Sequence, residues 1–224
     1  MVVPGAEVDA VTRPPGVLRA IVEHGSPHEW SDRMTLPAMH PRPGNLRGVA
    51  EQIERATGLR VEILGGALVM SPTPRGKHAG TIRRLRHQIE SAMPTGLAAY
   101  EVTSIAMPGD VDDYCTPDLV VLPDAWDTDD EWLADPADVE LAVEVISKSE
   151  KAHQITGKNG WYGAAGVRAL LVIDPRFGRW ALYRGPSAGA YPDPVEGDFG
   201  APIALSAPFS MSLDTACLPL YDKH

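Results

Sequence analysis

The sequence predicts a mixed α/β domain, in which a central sheet holds parallel and antiparallel strands and helices pack against it. Three observations point there. Residues 60–64 and 67–70 are strand-like runs joined by Gly65-Gly66, among the clearest hairpin signals a sequence offers. Two more runs, Pro117-Asp118-Leu119-Val120-Val121-Leu122 and Leu141-Ala142-Val143-Glu144-Val145-Ile146-Ser147, are short, rich in β-branched residues and bounded by turn formers. A helical stretch over 150–165 then leads to an apolar strand, Ala169-Leu170-Leu171-Val172-Ile173-Asp174-Pro175, so the chain crosses between strands through a helix.

The elements follow in order. Residues 1–44 carry Pro14-Pro15, further prolines and few periodic apolar positions; they read as a loosely structured arm with at most a short helix near Val17–Glu23. Met34-Thr35-Leu36-Pro37 reads as a second candidate start, which would make the residues before it an accessory extension. The domain proper is expected over 45–224. Leu46, Val49, Ile53 and Ala56 have helical spacing, ended by Gly58. After the hairpin, Ser71-Pro72-Thr73-Pro74 leads into a helix from about Lys77 to Ala92, with Ile82, Leu85 and Ile89 inward and Pro94 and Gly96 closing it. A strand over Tyr100–Met107 precedes the acidic turn at 109–113, and 124–138 reads as an acid-rich surface loop carrying Trp126 and Trp132. Ser147 is expected to cap the helix at 150–165, and Asp174 to form a turn. A further strand over Arg179–Tyr183 follows the turn at 176–178, and Pro202–Leu205 closes on Leu213.

Composition narrows the class. The 224 residues are 44% hydrophobic and 22% charged, ordinary for a globular protein. No apolar run approaches the roughly 18 residues of a membrane-spanning helix, and residues 1–25 lack the pattern of a secretory signal. Two cysteines, Cys115 and Cys217, without a CxxC pair argue against a disulfide framework or zinc site and fit a cytoplasmic location. The net charge of −10 is unusual for a protein that meets nucleic acid. Its distribution is uneven: Arg75, Lys77, His78, Arg83, Arg84, Arg86 and His87 all precede the first acid of their segment, Glu90. That stretch is either a phosphate-contacting edge or a solvated helix face.

The chemistry lies in two acids placed where apolar residues belong. Strand side chains alternate between faces, so Glu144 shares a face with Ala142 and Ile146, opposite Leu141, Val143 and Val145. Asp118 shares one with Val120 and Leu122. A buried carboxylate needs a compensating cation. On the helix at 150–165, Ile155, Lys158 and Tyr162 form one stripe, which turns Lys158 toward the sheet. Two carboxylates and a lysine point to metal-assisted phosphodiester hydrolysis, with Asp118 and Glu144 holding Mg²⁺ or Mn²⁺. Lys158 would orient water or stabilise developing charge, with Lys148 and Lys151 as alternatives.

The ordered set Glu62-Ile63-Leu64-Gly65-Gly66-Ala67-Leu68-Val69-Met70-Ser71-Pro72, His78, Pro117-Asp118-Leu119-Val120-Val121, Glu144-Val145-Ile146-Ser147, Lys158, Tyr162, Ala165-Gly166-Val167 and Val172-Ile173-Asp174-Pro175 resembles the Uma-two family of the PD-(D/E)XK nuclease superfamily. The resemblance spans roughly residues 45–215. It implies a restriction-endonuclease-like fold and Mg²⁺-dependent DNA cleavage by Asp118, Glu144 and a lysine, with Glu62 as a further acid. His78, Lys77, Arg75 and Arg83 would contact nucleic acid, and a homodimer is expected because paired sites cut paired strands. Ile146 stands where the superfamily lysine usually lies; in this family the lysine moves to the following helix, at Lys158. Gln154 replaces an Asp common four residues before that lysine, and Leu171 replaces an aromatic. Two rival readings remain: a catalytically inactive nucleic-acid-binding or regulatory protein of the same fold, and a metal hydrolase of small phosphorylated substrates.

Overall fold

The computed structural model describes residues 45–128 and 130–222. The readings made for residues 1–44, an arm with at most a short helix and a second start, fall outside the described residues. Three helices are described: α1 (Leu46–Thr57), α2 (Gly76–Ser91) and α3 (Ala152–Ala165). The strands are β1 (Arg60–Leu64), β2 (Ala67–Ser71), β3 (Leu97–Tyr100), β4 (Ser104–Ala106), β5 (Tyr114–Cys115), β6 (Leu119–Pro123), β7 (Leu133–Ala134), β8 (Leu141–Val145), β9 (Ala169–Asp174), β10 (Arg179–Arg184), β11 (Val195–Asp198), β12 (Ile203–Leu205) and β13 (Met211–Leu213).

A six-stranded sheet, β11-β10-β9-β8-β6-β3, forms the centre. β8 and β9 pair in parallel, joined through α3, while β6 pairs antiparallel with β8 and β3 with β6. A five-stranded sheet, β2-β1-β5-β4-β7, lies beside it, and β12-β13 form a separate hairpin. The alternation read from sequence is observed. Leu141, Val143 and Val145 join Leu119 and Val121 in a core beneath Ile82, Leu85 and Ile89 of α2. Ala142, Ile146, Val120 and Leu122 face the opposite way, toward Trp161, Tyr162 and Ala165 of α3. A third core packs Leu46 and Ala50 of α1 on Val61 and Ile63 of β1.

Local chemistry explains several joints. Gly65 and Gly66 take φ of 58° and 73°, the left-handed values a tight hairpin demands. Their amides donate to the Asp113 carboxylate at 2.5 and 2.9 Å, so the acidic turn fastens the hairpin tip. Gly163 of α3 allows a close approach: a Cβ there would lie 3.2 Å from the Tyr191 backbone nitrogen. Gly157 and Gly160 have no such neighbour. Asp174 forms a turn, accepting from the Arg176 amide at 3.1 Å.

Four expectations need correction. The single strand at 100–107 is two strands in different sheets, because Val102 takes a φ of 61° and breaks the extended run. The 124–138 loop contains 3₁₀ turns and β7, with Ala134 buried and Trp132 packed edge-on against Tyr114 at 5.1 Å. β5 and β11 extend the expected strand order. Ser147 does not cap α3. Lys151 holds the N-cap position, and the Gln154 side chain accepts from its amide at 2.7 Å, so Gln154 has a structural task at the start of the helix.

Candidate active site

Continuing the β6–β8 register by one residue places Asp118 opposite Glu144 on one face of the central sheet. The Val145 amide donates to Asp118 Oδ2 at 2.8 Å, which ties the two strand ends together. From the neighbouring sheet, β1 alternates Val61 and Ile63 into the α1 core and Arg60 and Glu62 onto the other side. Glu62 thereby meets Glu144 across the junction of the two sheets. From the third direction α3 delivers Lys158 and, one turn later, Tyr162.

Lys158 Nζ lies 3.1 Å from Glu62 Oε1 and 3.1 Å from Glu144 Oε1. The Tyr162 hydroxyl donates to Glu144 Oε1 at 2.6 Å. The Thr116 amide donates to Glu62 Oε1 at 2.8 Å, and the Cys115 thiol lies 3.2 Å from both Glu62 Oε1 and the Tyr162 oxygen. With one proton, that thiol donates to one of them at a time. Glu62 Oε2 is buried with no hydrogen-bond partner. Asp118 has separate company: His78 Nε2 at 3.2 Å and Arg60 Nη2 at 3.7 Å from Oδ1. His78 Nδ1 in turn lies 3.2 Å from the Tyr221 hydroxyl.

Electrostatics separate the acids. Burial pushes Glu144 up to about 7; the Asp118 and Glu62 charges add to this, and Lys158 opposes it. Burial also acts on Glu62, but Lys158, Arg60 and the Thr116 amide outweigh it and hold that carboxyl below its ordinary value. Asp118 is likewise held low against burial, chiefly by the hydrogen bond from His78. Lys158, flanked by two carboxylates, is raised well above its ordinary value despite burial, and burial raises the Cys115 thiol.

The cluster opens into a cleft of about 960 Å³ whose lining includes Asp118, Glu144 and Lys158 but not Glu62 or Cys115. The tightest group of potential ligand atoms is Glu62, Cys115 and Glu144, all within 4.8 Å of one another. The Lys158 ammonium bonds two of its three members, and a protonated thiol suits a hard cation poorly. Asp118 and Glu144 offer carboxylate oxygens on the cleft side, the donor type Mg²⁺ or Mn²⁺ takes. By donor type Asp118 and Glu144 suit such an ion, once His78 or Arg60 yields Asp118 Oδ1.

The structure thus gathers Asp118, Glu144, Lys158 and Glu62. Arg75, Lys77 and His78 line the same cleft, with His78 turned onto Asp118. Arg83 is exposed on α2 and does not line it. Arg86 is engaged by Glu90 and Glu101, so part of the basic stretch serves α2 and its surroundings. Lys148 and Lys151 are exposed, and it is Lys158 that reaches Glu144. Sequence reading missed Arg60, Cys115 and Tyr221 as neighbours of the acids. Arg60, two residues before Glu62 on one strand, carried a same-face signal; Tyr221 had none.

The profile of the Uma2 family, described as "Putative restriction endonuclease", matches residues 50–216, and the chain belongs to that family. Among solved structures, a crystal structure described as "a putative nuclease belonging to DUF820 from Anabaena variabilis ATCC 29413" aligns with a TM-score of 0.58. It is 18% identical, over 72% of this chain and 90% of that one. At that identity the likeness speaks to the fold, the restriction-endonuclease-like α/β architecture expected from sequence. No curated protein matches the chain. No helix among the described residues is long and apolar enough to cross a membrane.

Proposed function

We propose that this chain is a metal-dependent endonuclease that hydrolyses DNA phosphodiester bonds. The observation that carries the reading is Lys158 Nζ, 3.1 Å from both Glu62 and Glu144, beside Asp118 in one open cleft. Asp118 and Glu144 would hold Mg²⁺ or Mn²⁺, which supplies polarisation of the phosphate and a lowered pKa for a bound water. Lys158 is the group positioned to donate to a non-bridging phosphate oxygen or to that water. Glu62, wholly buried and bonded by the Thr116 amide, fixes Lys158 and keeps it charged. Tyr162 fixes the Glu144 carboxylate, and His78 with the Val145 amide fixes Asp118. Arg75 and Lys77 lie along the cleft where a nucleic-acid backbone would run, and Arg83 would meet a longer substrate beyond it. A homodimer would supply the second site for cutting both strands.

The test is plasmid nicking with Mg²⁺, with Mn²⁺ and with EDTA. Wild type is expected to cut only with metal. Glu144→Ala should lose activity on the order of 10³-fold, since the metal contributes several kcal/mol to the transition state. Unchanged cutting by Glu144→Ala would sink the mechanism.

One observation favours a second reading, a non-catalytic nucleic-acid-binding protein of the same fold. Both Asp118 oxygens already have protein partners, so an ion there must displace His78 or Arg60 from Oδ1. Calorimetry decides between them: Mn²⁺ binding that disappears in Asp118→Asn supports the enzyme, and no binding by wild type supports the alternative.

A further inference from the structure

Two lysines at the cleft mouth hold a part of the chain itself. Lys77, in the first turn of α2, donates to the Leu220 carbonyl at 2.9 Å and lies 2.6 Å from Asp222 Oδ1. Lys148, just beyond β8, donates to the Asp222 carbonyl at 2.7 Å. Between these contacts the Tyr221 amide donates to the Pro175 carbonyl at 3.0 Å, and its hydroxyl meets His78. Tyr221 and Asp222 both line the cleft. Leu220 packs against the turn at Gly178, where a Cβ would lie 2.9 Å from Leu220 Cδ2. The segment Leu220–Asp222 is thus a strap laid across the cleft, presenting a carboxylate and two carbonyls to two ammonium groups. It lies beyond residue 216, the end of the family match.

A carboxylate with adjacent carbonyl oxygens is what a phosphodiester looks like to a lysine: an anion with several acceptors. We propose that Lys77 and Lys148 form a subsite for a backbone phosphate next to the scissile one, and that the strap Leu220–Asp222 occupies it until nucleic acid displaces it. The inference rests on the nucleic-acid reading of the cleft. The charged end of the strap is exposed to exchange with a solvent-borne anion. Asp222 is 79% exposed and Lys77 44%, and ion pairs in that setting contribute little. Displacing it exchanges one anion for another on the same lysines, against the loss of the Tyr221 amide and hydroxyl contacts and of the Leu220 packing. It also uncovers the His78 edge, beside Asp118.

The experiment uses the full chain in EDTA, so that nothing is cut, with a fluorescein-labelled oligodeoxynucleotide as probe. Anisotropy measures binding by wild type, Asp222→Ala and Glu51→Ala, the last removing an exposed acid from α1, outside the cleft lining. Hydrogen exchange of the C-terminal peptide, measured with and without the oligonucleotide, follows the strap. Asp222→Ala should bind up to about fivefold more tightly than wild type, equivalent to about 1 kcal/mol, and Glu51→Ala should match wild type. The gain should vanish when Lys77→Ala is added, and oligonucleotide should speed exchange of the strap in wild type. Equal binding by all three proteins with unchanged strap exchange overturns the strap and leaves the nuclease reading standing. No binding by any of them overturns the strap, and metal-dependent nicking then decides the nuclease reading by itself.

Discussion

The two faces of the six-stranded sheet come from the same strands, yet they are built to different rules. Toward α2, every inward residue of β6, β8 and β9 is apolar, and Leu119, Leu141, Leu171 and Leu85 are fully buried. Toward α3, the same strands contribute Val120, Ala142 and Val172, then end in Asp118 and Glu144, with Cys115, Tyr162 and Lys158 closing over them. The first face is held by the removal of apolar surface from water, which tolerates substitution by similar volume. The second holds a closed set of charges, in which each acid survives burial only because a named donor answers it. One face is expected to degrade gradually under mutation and the other to fail as a unit.

Breaking the charged set gives the largest effect on stability. Lys158→Ala removes the ammonium that both Glu62 and Glu144 face, leaving Arg60 as the cation beside Glu62, and should cost about 3–5 kcal/mol in urea unfolding at neutral pH in EDTA. Adding Glu144→Gln should restore much of that loss, since it removes one of the two stranded charges. On the other face, Leu85→Ala should cost about 2–5 kcal/mol through transfer and cavity terms, with no rescue from any charge change. Rescue of Lys158→Ala by Glu144→Gln is the signature that separates the faces; its absence would show the α3 face to be ordinary packing.

Varying pH sharpens the same contrast. Glu144 rises from an ordinary 4.5 to about 7 in the folded protein. Between those values the folded state binds more protons than the unfolded one, so stability falls as pH rises from 4.5 toward 7. Glu62 and Asp118 are shifted the other way, so their contribution is present above their ordinary values and is lost as pH falls through their lowered ones. Thermal unfolding of metal-free protein from pH 5 to 8 should therefore show a decline that Glu144→Gln abolishes and Leu85→Ala leaves intact.

The smallest effects come from α3 itself. Gly160→Ala places a methyl in open space in a helix interior and should stabilise by up to about 1 kcal/mol. Gly163→Ala drives a methyl against the Tyr191 and Ala190 backbone at 3.2–3.3 Å and should destabilise. Equal melting shifts for the two would show that the close approach at Gly163 does not govern the seating of the helix.

Much of this contrast was legible in the chain because it is local. Period-two alternation assigned the faces of β6 and β8, and the spacing of Ile155, Lys158 and Tyr162 turned the lysine inward. The Gly65-Gly66 turn announced its hairpin. What escaped notice depends on partners distant in sequence. β5 is two residues long and exists because β1 and β4 pair with it. Val102 breaks a run that propensity alone would continue. His78 is a helix-start residue until Asp118, 40 positions later, takes its proton donor, and Arg60 is a strand-end charge until the same acid is beside it. Ser147 is a good cap by type, but α3 begins five residues further on, where Gln154 folds back on Lys151.

The meeting of two sheets at the acid cluster also bears on how the protein comes into being. Glu62 is made early, on a hairpin with its own small core, whereas Lys158 is made almost a hundred residues later on α3. Chains emerge from the ribosome in that order, and contacts so far apart in sequence form late. A growing chain therefore carries Glu62 without the cation that faces it until α3 has been made. Assembly of the cluster from Glu62 on β1, Glu144 on β8 and Lys158 on α3 thus makes it a part of the domain that is completed late in folding.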